Sequence, residues 1–133
     1  MPSKPGKEAT TSFEIAKQLD EAADAIRTRS NRAYAAGSLS LDEYMDARAR
    51  ELELRSELSL IVATRLGDAL AQAADAGEDI EQAIRDAKVR IERVRSARKG
   101  LEIVAALVSL AAALASGDAK RIVAAGKAVA ALA

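Results

Sequence analysis

Residues 80–115 read IEQAIRDAKVRIERVRSARKGLEIVAALVSLAAALA. Within them Ile80, Ile84, Ala87, Ile91, Val94, Arg98, Leu101, Ala105, Val108, Ala112 and Ala115 follow in alternating steps of four and three, and only Arg98 is not apolar. A period of about 3.5 residues held over that length predicts one long helix with a seam packed on other helices. Its predicted span is 78–116, with Glu78, Asp79 and Glu81 in the first turn, where carboxylates suit the helix dipole.

The character of this helix changes along its length. Up to Ala97 the apolar residues keep mainly to the seam, with Arg85, Lys88, Arg90, Arg93 and Arg95 outside it; from Leu101 to Ala115 only Glu102 and Ser109 are polar. A helix apolar on one seam has one partner, and a helix apolar all round is surrounded.

Three more helices are predicted around it. The first spans 12–36, with Thr11 and Glu14 at capping-box spacing, Ile15, Leu19, Ala22 and Ile26 as the buried stripe, and Gly37 as the left-handed stop. The second spans 40–74 from a Ser40–Glu43 capping box, with Leu41, Met45, Ala49, Leu52, Leu60, Ala63, Leu66, Leu70 and Ala74 as its core stripe. A supplementary stripe, Leu54, Leu58 and Ile61, widens its apolar face. The last spans 118–132 after Ser116-Gly117-Asp118. Short turns make sequential helices antiparallel neighbours. The expected fold is therefore all-α: an antiparallel four-helix bundle whose two long central helices project as a helical hairpin, turning at Asp75-Ala76-Gly77. In that register Arg95, Arg98 and Lys99 come level with Glu53 and Glu57.

Size and composition agree with one helical domain over 12–133, preceded by a flexible N-terminal tail, 1–11, that holds both prolines. The core must be Ala, Leu, Ile and Val, because aromatics are only 2% of the chain. Lys plus Arg is 20 and Asp plus Glu is 20, so the net charge is zero and no nucleic-acid partner is expected. Cysteine and histidine are both absent. That removes thiolate sites, Ser-His-Asp triads and the Glu-x-x-His motif of di-metal helix bundles. No catalytic residue, cofactor or metal is expected, and the chain is not read as an enzyme. With no secretory signal at the N-terminus it is read as cytoplasmic.

Two surfaces stand out. Leu101, Ala105, Val108, Ser109 and Ala112, with Ile122 and Val129 of the last helix, form the candidate interaction surface. Arg85, Lys88, Arg93 and Arg95 form a candidate basic strip, whose simplest role is pairing with the acids of the second helix. The expected function is a helical interaction protein (an adaptor, assembly subunit or small regulator) that works through helix surfaces as a homo-oligomer. The alternative is a membrane- or lipid-surface protein using the apolar hairpin 101–133. The run 103–115 is shorter than the roughly 20 residues a spanning helix needs.

Overall fold

A computed structural model describes residues 7–73 and 76–133. They form six helices and no strand: α1 (Lys7–Ala35), α2 (Leu41–Ser59), α3 (Ala63–Gln72), α4 (Ala76–Arg93), α5 (Ala97–Ser116) and α6 (Ala119–Leu132). The fold is all-α, as expected. Each of the two long helices read from the sequence is instead two, so the projecting hairpin gives way to a different arrangement.

The turns foreseen at Gly37 and Gly117 form as read, whereas Ala76 and Gly77 of the third expected turn lie inside α4. At the end of α1 the Ser38 amide donates to the Ala33 carbonyl (2.8 Å) and the Gly37 amide to the Tyr34 carbonyl (3.0 Å). Gly37 has φ 78°, completing a Schellman stop. The Ser40 hydroxyl accepts from the Glu43 amide (3.1 Å), and the Glu43 carboxylate accepts from the Ser40 amide (2.8 Å). Asp118 accepts from the Lys120 and Arg121 amides and starts α6. The start of α1 differs from the reading. The helix begins at Lys7, so Thr11 does not cap it. Lys7-Glu8-Ala9 are good helix formers and are helical. Residues 1–6 of the expected tail, and Ala74 and Asp75 of the expected turn, lie outside the described residues.

Neither break in the long helices uses glycine or proline. After α2, Leu60 stays helical but Val62 is extended, at φ −101° and ψ 118°. Ile61 and Val62 are β-branched and resist helix modestly. The bend lets Leu66, Ala69 and Leu70 of α3 bury against α1. Between α4 and α5, Ser96 is extended and its hydroxyl accepts from the Lys99 amide (3.3 Å). The carbonyl of Val94, left over at the end of α4, accepts from Arg29 of α1 through Nη2 (2.9 Å) and Nε (3.3 Å). Gly100 is buried beside this cap, and a Cβ on it would stand in ordinary contact, 3.5 Å from both Arg29 and Val94.

The bends close the chain into a ring. α1 packs on α2, α2 on α5, α5 on α6, α6 on α4, and α4 on α1; α3 lies against α1 beside this ring. α1 and α2 are antiparallel, fixed by Arg55–Asp24 (2.9 Å) and Tyr44–Asn31 (2.8 Å). α1 and α4 are parallel, fixed by Lys88–Glu21 (2.8 Å) and Arg29–Val94. The start of α5 lies beside the start of α2, where Leu101 and Met45 flank one groove. The two helices thus run parallel, and Arg98 and Lys99 sit far from Glu57. Ile15, Leu19, Ile26, Leu54, Leu66, Ile84, Ile91, Ile103, Leu107, Leu110, Leu114 and Ile122 fill the core.

Two close approaches hold the last helix. Gly117 has φ 72°, and a Cβ there would meet Arg65 at 2.6 Å. A Cβ on the buried Gly126 would meet Cγ1 of Ile80 at 2.8 Å, so α4 and α6 touch nearly backbone to side chain. Gly126→Ala should therefore destabilise the fold although alanine favours helix by about 1 kcal/mol, because overpacking costs about 1–3 kcal/mol. A lowered urea midpoint is expected. The ring also removes the distinction between a thin projecting hairpin and a surrounded core. Ile91 is 1% exposed and Leu107 is 0% exposed. Ile91→Asp and Leu107→Asp should be similarly damaging, each by about 3–5 kcal/mol, in urea melts.

Candidate interaction surface

α2 presents apolar side chains on two sides. The side turned inward carries Ala47, Glu51 and Leu54, with Leu58 packed against the core. Leu41, Met45 and Leu52, read from the sequence as core, are instead 59%, 59% and 57% exposed. Along α2 the supplementary stripe turns inward and the main one faces water, whereas Leu66 and Leu70, the continuation of the main stripe on α3, are buried as read. Both stripes have helical spacing, so spacing alone does not say which one faces inward.

Leu41, Met45, Ala49 and Leu52 recur at helical spacing along one outer face, and exposed Leu60 continues it beyond the helix. α5 lies alongside with Leu101, Ala105, Val108 and Ala112 half-exposed and Ser109 exposed. A shallow groove lined by Met45, Asp46, Ala49 and Leu101 joins the two faces. Five of the seven candidate residues thus stand on an accessible face. Ile122 and Val129 do not: they are 0% and 1% exposed, because α6 turns them into the ring between α4 and α5.

The basic strip is dispersed. Arg85 pairs with Glu81 on its own helix. Lys88 reaches Glu21 (2.8 Å) and Gln18 (3.4 Å) on α1. Arg93 and Arg95 are exposed at the end of α4 and in the following bend. The partner of α4 is α1, not α2, because the bend at Val94–Ser96 carries only α5 to α2. Of the acids of α2, Glu51 and Glu53 pair with arginines of their own helix. The buried Glu51 accepts from Arg48 (2.6 Å) and Arg55 (2.8 Å), and Arg55 also reaches Asp24 (2.9 Å) and Asp20 (3.6 Å). Asp24 first, then Glu51, raises the pKa of Arg55 through these hydrogen bonds. Glu102 is exposed and lies 3.7 and 3.9 Å from Arg98 and Lys99. Among the described residues no group of three acids converges on a point where a metal ion would sit.

No family model, curated protein or solved structure matches the chain.

The Lys88 hydrogen bond, and next its charge, hold the Glu21 carboxyl below its ordinary range. A depressed carboxylate stabilises the fold above its unfolded pKa, and this contribution is lost as pH falls through the folded value. Lys88→Ala should return Glu21 to the ordinary carboxylate range in an NMR titration and flatten the acid limb of stability. Arg55→Ala should cost about 1–3 kcal/mol in a urea melt, since it leaves the buried Glu51 with Arg48 alone.

Proposed function

We propose that this chain is a non-enzymatic helical interaction protein that self-associates through the outer faces of α2 and α5. The observation that carries this reading is the outer stripe Leu41, Met45, Ala49 and Leu52, standing in water beside the half-exposed Leu101, Ala105 and Val108. Scattered apolar side chains on a surface need no explanation, whereas a row along one helix beside a second row marks a contact face. A second copy fits this face through isologous pairing, in which the same patch meets itself. The ring is closed without it, so association adds a surface and does not complete the core. Adaptor, assembly subunit and small regulator are all roles such a surface serves, and a cytoplasmic setting fits a chain free of cysteine.

A lipid surface is the alternative occupant. In its favour, α5 is 20 residues long with mean hydropathy 1.6 over its most apolar window, long and apolar enough to cross a membrane by length and composition. Against it, 44% of that window is buried in the fold. α2 also carries Asp42, Glu43, Asp46, Glu51, Glu53 and Glu57 against Arg48, Arg50 and Arg55, an acidic balance that anionic lipid repels.

Light scattering after size exclusion should show association that rises with concentration and reverses rapidly on dilution. Met45→Glu and Leu52→Glu should abolish it while shifting stability by no more than about 0.5 kcal/mol, as expected for exposed positions. A monomer at all concentrations that binds neutral liposomes would replace this reading with the lipid one.

A further inference from the structure

We propose that two copies of this chain exchange α5 and α6, with Val94-Arg95-Ser96 straightening so that α4 and α5 become one continuous helix. This inference does not rest on the outer face of α2. It rests on a mismatch between sequence and fold. The seam Ala87, Ile91, Val94, Arg98, Leu101, Ala105 keeps its four-three spacing straight through the bend. The bend contains neither glycine nor proline. The helical ladder already extends into it, since the Val94 amide donates to the Arg90 carbonyl (2.8 Å).

What holds the bend is a small set of hydrogen bonds. Arg29 caps the Val94 carbonyl, and Ser96 caps the Lys99 amide. In a continuous helix the Val94 carbonyl would accept from the Arg98 amide instead, so neither cap is needed there. α4 and α5 touch little, whereas α5 packs on α2 and α6 packs on α4. Those larger contacts survive exchange, because a partner's α5 and α6 can fill the same places. Exchange of identical elements through a hinge forms dimers at low cost for this reason.

The crossing that exchange creates also suits a second copy. A two-fold axis near Ser96 runs the two straight helices antiparallel, which sets Ile91 of one level with Leu101 of the other. It also sets Glu92 beside Lys99 and Glu102 beside Arg90. In the closed ring Glu92 and Arg90 are both exposed, and Lys99 reaches Glu102 only at 3.9 Å.

The test uses proline where the ring accepts it. Ala97 is the first residue of α5, and Ser96 before it has φ −78° and ψ 124°, the extended backbone that precedes proline readily. Ala97→Pro therefore suits the bend and forbids the continuous helix. The full chain is concentrated, warmed gently, cooled, and resolved by size exclusion with light scattering. A dimer that persists on dilution is expected. Ala97→Pro should abolish it, Arg29→Ala should raise its fraction several-fold, and Met45→Glu should leave it unchanged. Should Ala97→Pro fail to fold, inserting two glycines between Arg95 and Ser96 breaks the continuous helix without constraining φ, and must also abolish the dimer. No persistent dimer after warming, or one that survives the variant that folds, overturns the exchange. Rapidly reversible association reports on the α2 and α5 faces alone, so the two readings fail separately.

Discussion

The guanidinium of Arg29 on the carbonyl of Val94 is the contact on which the ring depends. A helix that stops leaves carbonyls without partners, and one buried without a donor costs about as much as a lost hydrogen bond. Arg29 supplies two donors from a neighbouring helix. Burial lowers the pKa of this side chain from its very high ordinary value, and it remains a cation. The positive charge also suits the negative end of α4. With that end satisfied, α5 turns away towards α2, and α6 returns to α4.

The bend has a consequence for α2. That helix meets α1 on one side and α5 on another, and these contacts choose Ala47, Glu51 and Leu54 as its inner face. Glu51 is buried at their centre, between two partly exposed arginines. The fold thus accepts a carboxylate in the interior while Leu41, Met45 and Leu52 stay outside. That arrangement inverts the usual preference, and the proposed association rests on it.

Local signals were legible in the sequence, and their global assembly was not. The stop at Gly37, the capping box at Ser40 and the start of α6 at Asp118 are set by residues within a turn of one another, and each stands where it was read. The breaks at Leu60–Val62 and Val94–Ser96 depend on distant partners. Nothing near Val94 announces that Arg29, 65 residues earlier, will cap it. The faint local signal was Ser96 ahead of Ala97, a good cap with no acidic partner three residues on. Of the residues read as a candidate surface, Leu101, Ala105, Val108, Ser109 and Ala112 are accessible, on a helix that is apolar almost all round. The α2 half was hidden because both of its apolar stripes satisfy the same spacing.

Gly126 against Ile80 bears on the order of events during synthesis. α6 follows every other helix, yet it occupies the gap between α4 and α5. Until its residues leave the ribosome, the sides of α4 and α5 that face α6 lack that cover. The nascent chain therefore passes through a stage with an open apolar slot, the condition under which partly made proteins associate or recruit chaperones. A slot sized for a glycine-bearing helix admits few substitutes, so the shape that delays closure also selects what closes it.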